Sequence, residues 1–219
     1  FTVGHSHRGN SVLAHGDPGS SLDAAIGAVE GAYRARGLPP QFQLTPLSVP
    51  PGLAEALAAR GYVSTAPTHV QVARITEVIE RSGGDSGVVH EPPAKPDVED
   101  LVRSGSRSLE DAAERLEIVH RIVLPHTLAV LRADGETVAC GMGVRDGDWT
   151  GVFIMRTRPE HRRKGYAARI LASIAAWGRA QGASRIFLQV EDDNAPARAL
   201  YARAGFEDAY PYRFMRGKS

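Results

Sequence analysis

Two hydrophobic periods alternate along the C-terminal part of the chain, and each predicts a different kind of element. Apolar residues spaced three and four apart, among them Ile170, Leu171, Ile174 and Trp177, predict an amphipathic helix over residues 165–181. The uninterrupted apolar run after it predicts a buried strand. The patterns place the remaining elements as strands at 88–90, 127–131, 137–144, 149–155, 186–190 and 210–215, two helices within 96–120, and a short helix at 195–204.

Two tight turns indicate how the middle strands pair. Asp134-Gly135 and Asp146-Gly147 each separate two predicted strands, and Asp-Gly is typical of a two-residue β-hairpin turn. Three strands joined in this way form an antiparallel meander. Together with the helices, the pattern predicts an α+β fold in which helices flank a mixed, mostly antiparallel central sheet.

The first 80 residues repeat, in weaker form, the order of elements that ends the chain. A helix, a strand, a second helix closed by Gly61-Tyr62 and a further strand parallel the later series, whose second helix is closed by Gly205-Phe206. Aligned in this way, Pro50 takes the place of Asn194 and Leu57 that of Tyr201. The first copy is predicted to have the shape of the second without its polar groups. Its elements are predicted at 22–36, 41–44, 53–60 and 69–73.

A Gly-rich polar segment over residues 81–87 lacks any apolar period and is predicted to be a linker. The domain prediction is therefore a degenerate half over 1–80, the linker over 81–87, and a second half over 88–219. A chain of 219 residues is long enough for one large domain or two small ones.

The charge balance directs attention to one loop. The formal net charge is only +1, so no overall field attracts nucleic acid or an anionic membrane. Positive charge is instead concentrated around one turn, which is either a solvated basic face or a pocket for a polyanion. The residues concerned are Arg156, Arg158, Arg162, Arg163, Lys164 and Arg169.

Other functional classes find little support in the sequence. Cys140 is the only cysteine, so no intramolecular disulfide can form, and its apolar neighbours predict a buried, inert thiol. A reducing compartment suits such a chain, and we expect it to be cytoplasmic. No apolar run approaches the roughly 20 residues of a membrane span. The eight histidines show no metal-ligand spacing, so no metal is expected.

The turn before Gly165 has the chemistry of an anion site. A helix that begins there presents free backbone N–H groups and a partial positive charge. Gly165 and Ala167 keep side chains away, so an anion can approach the backbone, and Arg162 adds charge. A diphosphate fits this better than a lone carboxylate. The turn lacks the Gly-Lys-Ser/Thr ending of a P-loop and the three glycines of a dinucleotide fingerprint.

These residues resemble the GNAT N-acetyltransferase superfamily. Arg162-x-x-Gly165-x-Ala167 is similar to its Arg/Gln-x-x-Gly-x-Gly/Ala signature. The segment from Asn194 through Leu200-Tyr201 to Gly205-Phe206 resembles its second signature, at the expected distance. The likeness is strong over roughly 127–215 and weak before it. It implies the acyl-CoA N-acyltransferase fold, in a tandem form with two GNAT-like halves of which the first does not bind cofactor.

The resemblance implies acetyl-CoA as the donor, with no metal. Its diphosphate would lie on the amides of residues 163–168, and its pantetheine arm along the preceding strand like an added β-strand. A backbone N–H near Met155 would polarise the thioester carbonyl. The expected cofactor-binding residues are Met155, Arg156, Thr157, Arg162, Arg163, Lys164, Gly165, Tyr166, Ala167, Ala168, Asn194 and Tyr201.

The implied reaction is direct attack of a primary amine on the thioester, through a tetrahedral intermediate and without a covalent enzyme adduct. Tyr201 is expected to act as the general acid and donate a proton to the departing thiolate. Asn194 would bind the cofactor or begin the helix. Some family members carry a Glu where this chain has Gln189, which cannot accept a proton, so Glu191 on the same strand face is the expected base, with a water chain as the alternative.

Two other functions remain open at this stage. An acyl-CoA-binding sensor or scaffold without turnover would explain Gln189 and the cofactor-less first half. A nucleic-acid-binding domain is disfavoured by the near-neutral charge and by the lack of interleaved aromatic and basic residues. The expected partner is a small-molecule or peptide amine, without nucleic acid or membrane. The sequence does not fix the oligomeric state.

Overall fold

The computed structural model describes residues 6–85, 87–91, 96–106 and 108–218, without the side chains of residues 66, 96 and 97. It divides the chain into two compact units. The first contains the chain up to His69 and from Tyr210 onward, and the second runs from Val70 to Ala209. The separation into a degenerate half over 1–80, a linker over 81–87 and a catalytic half over 88–219 stays a prediction.

The first unit has a small mixed sheet and two helices. β1 pairs with β2 in parallel, and β2 pairs with β9 in antiparallel register, so that Gln41 lies opposite Arg216. Ile26 of α1 and Leu57 of α2 are buried against Phe42 of β2. Its elements are β1 (Val12–Leu13), α1 (Leu22–Arg34), β2 (Gln41–Leu44), α2 (Leu53–Ala59), the beginning of β3 (Val63–Arg74) and the end of β9 (Glu207–Arg216).

The second unit is larger and has helices on both faces of a five-stranded run of sheet. Its strands lie in the order β8-β7-β6-β5-β4, and only the β7–β8 pair is parallel. Its elements are α3 (Ile75–Arg81), β4 (Val88–Glu91), α4 (Pro96–Ser104), α5 (Leu109–His120), β5 (His126–Ala133), β6 (Glu136–Asp146), β7 (Trp149–Thr157), α6 (Tyr166–Ala180), β8 (Arg185–Glu191) and α7 (Ala195–Arg203).

Two hydrophobic clusters lie on opposite faces of this sheet. On one face, α3 and α6 pack against alternate residues of β5 to β8, with Ile170 and Ile174 fully buried. On the other face, Val98 and Leu101 of α4 contact a cluster that includes Cys140 of β6. Each strand therefore presents successive side chains to different helices, and this alternation decides where the side chains of β7 point.

The structure confirms the predicted α+β fold with a mostly antiparallel sheet. Asp134 and Gly135 both have positive φ angles, as the first hairpin turn requires, and Gly147 does so in the second. Most strands extend a few residues beyond their predicted ends. Of the helices and strands in the described residues, β1 and α3 were not predicted: β1 has only two residues, and α3 follows directly on β3 without a turn signal between them.

Helix α6 lies unusually close to β7 at one glycine. A Cβ atom placed on Gly178 would collide with Oγ1 of Thr150, a side chain that is itself fully buried. Only a residue without a side chain permits this approach. Because α6 begins at the candidate site, Gly178 helps to fix the helix that carries it.

Gly178→Ala is expected to lower the free energy of unfolding by about 1–3 kcal/mol, because the added methyl overpacks the α6–β7 contact. Gly31→Ala in α1 is the matched control. Gly31 is also helical but has no atom within 4 Å of a built Cβ, so alanine there should stabilise by about 0.5–1 kcal/mol. Chemical denaturation of both variants measures the difference. Equal changes in the free energy of unfolding in the two variants would contradict the close approach of α6 to β7.

Candidate active site

The carboxyl ends of β7 and β8 separate, which opens one edge of β7. The two strands pair in parallel at Trp149–Gly151 with Arg185–Phe187. Beyond Gly151 the described residues show no further β7–β8 pairing, although β7 stays paired with β6 as far as Thr157. The edge of β7 that faces β8 therefore has backbone groups available to an extended ligand over residues 152–157.

A β-bulge interrupts β7 in this same stretch. Cys140 lies opposite Arg156 and Met142 lies opposite Phe153, so Gly141 faces two residues instead of one. One of them, Ile154, has a φ angle of 51°, a left-handed conformation that β-branched residues rarely adopt. Such bulges reorient backbone groups and often lie beside active sites. Here the bulge takes the peptide of Met155 out of the regular β6–β7 ladder.

The turn between β7 and α6 exposes backbone amides at the helix N-terminus. Arg163 and Gly165 have φ angles of 62° and 79°, and the first intrahelical-type bond is donated by the amide of Ala168 to the carbonyl of Gly165. The amides of Gly165, Tyr166 and Ala167 donate to no other described residue. No atom lies within 4 Å of a Cβ built on Gly165. The turn therefore offers free donors and open space, which suit an anion.

The structure separates the basic residues that the sequence groups together. Arg162, Arg163 and Lys164 are exposed around the turn. Arg158 forms ion pairs with Asp100 and Glu136. The remaining two lie elsewhere: Arg169 lies over the ring of Tyr166, and Arg156 lies on the opposite face of the sheet, as described below.

Tyr201 is buried at the side of this arrangement. Its side chain is 7% exposed and its ring lies 5.9 Å from that of Phe206. No hydrogen bond joins its hydroxyl to another of the described residues. Burial raises the pKa of Tyr201 to about 12, while the positive charge of Arg156 acts to lower it. The phenol is therefore protonated at neutral pH and retains its donor.

The remaining predicted residues occupy different positions. The Oδ1 atom of Asn194 accepts the amide of Ala197 at 3.2 Å, so Asn194 is the N-cap of α7. Glu191 is exposed at the end of β8, and Gln189 is partly buried on the same strand. Cys140 is fully buried, which confirms the predicted burial, and burial raises the pKa of its thiol to about 12, which disfavours a reactive thiolate.

A polar cluster near Arg156 was missed by sequence reasoning. Asp111 of α5 is 4% exposed, and each of its carboxylate oxygens accepts a hydrogen bond from Nε of Arg115 at 3.0 Å. Glu114, one turn further along, is buried as well. The sequence did offer one signal, because Asp111 and Arg115 have the i,i+4 spacing of a helical ion pair.

Two kinds of feature are absent from the part of the chain that the structure describes. No helix among them is long and apolar enough to cross a membrane. No group of three or more potential metal ligands occurs among them.

Comparison with known proteins identifies a family. Residues 97–206 match the model of the acetyltransferase (GNAT) family. An uncharacterised N-acetyltransferase, YobR of Bacillus subtilis (strain 168), is 27% identical over 190 residues, which cover 84% of this chain and 76% of YobR. A mycothiol acetyltransferase of Clavibacter sepedonicus is 28% identical over 228 aligned positions, which cover 92% of this chain and 74% of that protein.

A solved structure shows the same fold. It is a tandem GNAT protein from the clavulanic acid biosynthesis pathway, with a TM-score of 0.64 and 18% sequence identity. The superposition covers 92% of this chain and 73% of the tandem protein. At this identity the likeness concerns the fold alone, and it gives partial support to two GNAT-like halves.

Proposed function

This chain belongs to the acetyltransferase (GNAT) family, and we propose that it transfers an acetyl group from acetyl-CoA to a primary amine by direct attack. The observation that carries the proposal is the arrangement around β7. A strand edge without a partner, a bulge and a helix N-terminus with free amides follow one another along 152–167. The strand edge suits a pantetheine arm, the bulge suits a thioester carbonyl, and the helix N-terminus suits a diphosphate.

The diphosphate would bind the turn before α6. The free amides of Gly165, Tyr166 and Ala167 supply directed donors, and the helix dipole adds partial positive charge. The exposed side chains of Arg162, Arg163 and Lys164 surround the turn, and the open space at Gly165 admits phosphate oxygens. The residues present therefore fit the group. Ala168, whose amide already bonds the Gly165 carbonyl, would line the site without donating.

The pantetheine arm would lie along the free edge of β7. Its amide groups would pair with the backbone of Met155 and Thr157 as an added strand does. The bulge supports a special role for Met155, since its peptide is outside the β6–β7 register and its N–H can point toward the thioester carbonyl. When bound, acetyl-CoA supplies an activated acyl group with a thiolate leaving group.

Tyr201 would stabilise the departing thiolate as a hydrogen-bond donor. A thiol has a pKa of about 8.5, and that of Tyr201 is about 12. The higher pKa of the phenol favours a hydrogen bond to the thiolate over complete proton transfer. The phenol thus donates a hydrogen bond as the C–S bond breaks and keeps its proton, while the amine proton leaves to a base.

The base is proposed to be Glu191 or water next to it. Glu191 is exposed, so its carboxylate can exchange protons with solvent after each turnover. Gln189 holds the position where a base would otherwise stand, and this observation favours the second candidate function, an acyl-CoA-binding sensor without turnover.

Tyr201→Phe is expected to lower kcat by about 10- to 100-fold, because the ring is retained and only the donor to the thiolate is lost. The affinity for acetyl-CoA should change little, since the phenol hydrogen bond forms mainly in the transition state. Release of free thiol from acetyl-CoA across a panel of primary amines measures both parameters. An unchanged kcat with every accepted amine would contradict the role of Tyr201. Tight binding without amine-dependent thiol release would favour the sensor.

Gly165→Ala is expected to weaken acetyl-CoA binding by at least about tenfold, because the methyl group enters the space proposed for the diphosphate and the φ of 79° disfavours alanine. Gly182→Ala is the matched control. Gly182 lies just beyond the other end of α6, has a φ of 89° and equally open surroundings, so the backbone cost is similar. Calorimetry with acetyl-CoA should separate the two variants. Equal affinities of the two variants for acetyl-CoA would contradict binding of the diphosphate at this turn.

A further inference from the structure

Arg156 follows the bulge and points away from the proposed cofactor face. It lies opposite Cys140 in the β6–β7 register, so both side chains are on the face covered by α4 and α5. Met155, one residue earlier, packs instead against the cluster on the α6 face. The turn after α4 passes directly over Arg156, since a Cβ built on Gly105 would come within 2.6 Å of its Nε atom.

The guanidinium of Arg156 has donors that the protein does not use. Its Nη1 atom donates to the carbonyl of Met155 at 3.0 Å. Its Nε atom is buried and has no acceptor, and no carboxylate among the described residues lies within ion-pair distance. Burial, and secondly the charge of Arg115, lower the pKa of this guanidinium. A partly buried cation without an anionic partner is costly unless a ligand supplies the partner.

The charged side chains described near Arg156 form no ion pair with it. Asp111 and Arg115 neutralise each other through their ion pair. No ion pair joins the buried Glu114 to Arg156 among the described residues. The single charge of one guanidinium suits a carboxylate better than a phosphate dianion, which would bring a second negative charge. The planar fork of an arginine also matches a carboxylate in shape.

We propose that Arg156 is a specificity-determining residue that binds a carboxylate of the acceptor, so that the enzyme prefers amino carboxylates over simple amines. The inference rests on the proposed acetyl transfer. Arg156 adjoins the Met155 peptide, where the thioester carbonyl would lie, and is close enough to Tyr201 to affect its pKa. A small molecule whose carboxylate is held here has its amine near the thioester carbon.

Pairs of acceptors that differ only in the carboxylate test the proposal. With L-amino acids and their C-terminal amides, corrected for the fraction of neutral amine, the wild type should prefer the acids by about 10- to 100-fold in kcat/KM. Arg156→Met should reduce this ratio to about one through a higher KM for the acids, and leave the KM for acetyl-CoA within about twofold. Arg156→Lys should retain part of the preference, since it keeps the charge without the fork.

Arg145→Met is the matched control. Arg145 also lies on this strand pair, opposite Thr150, and its Nε atom is likewise buried without an acceptor, but it is at the other end of the pair from the bulge. The Arg145→Met variant should keep the wild-type ratio of kcat/KM for the acids to kcat/KM for the amides. Gly105→Ala provides a second route, because its methyl group would displace the guanidinium while Arg156 is retained. It should raise the KM for the acids as well.

The outcomes separate this inference from the proposed function. Transfer to amines with no preference for the carboxylate, or a preference that survives Arg156→Met, would overturn the role of Arg156 and leave acetyl transfer intact. No thiol release with any amine would overturn the acetyl transfer itself. Loss of preference in Arg145→Met as well would show a general disturbance of the sheet and would also contradict the inference.

Discussion

The separation of β7 from β8 after one short parallel stretch is the constraint on which the candidate site depends. Helix α6 leaves the end of β7 and leads to the start of β8, so its N-terminus lies at the carboxyl ends of both strands. A free strand edge and free helix amides are thereby brought to the same end of the sheet. Ligands bind at this end of parallel crossovers for the same physical reason.

The bulge at Ile154 and Met155 divides the site into two sides. Because strand side chains alternate, Met155 belongs to the face of α6 and Arg156 to the face of α4 and α5. A residue that would contact acetyl-CoA and a residue that would contact the amine acceptor can therefore be neighbours in sequence, because their side chains project in opposite directions. The cost is a strained Ile154 and a partly buried Arg156 whose Nε atom has no acceptor among the described residues, and such features are common where function requires them.

Local patterns in the sequence were sufficient for most of the fold and for the turn before α6. The helix predicted at 165–181 is observed as Tyr166–Ala180, because its period and its glycines are local signals. The bulge was not predictable, since it exists only in the register between β6 and β7. The different surroundings of Arg156 and Arg158 were not predictable either. The two arginines lie in the same run of sequence, but distant residues give Arg158 two carboxylates, whereas no described carboxylate pairs with Arg156.

The most direct test of the central claim is an amide chemical-shift experiment on the isotope-labelled protein. Coenzyme A should shift the amides of Gly165, Tyr166 and Ala167 most strongly. Pantetheine, which lacks the diphosphate, should shift the β7 amides over 152–157 and leave these three unchanged. If coenzyme A binds while the three amides keep their positions, the helix N-terminus is not the diphosphate site and the account of this protein is wrong.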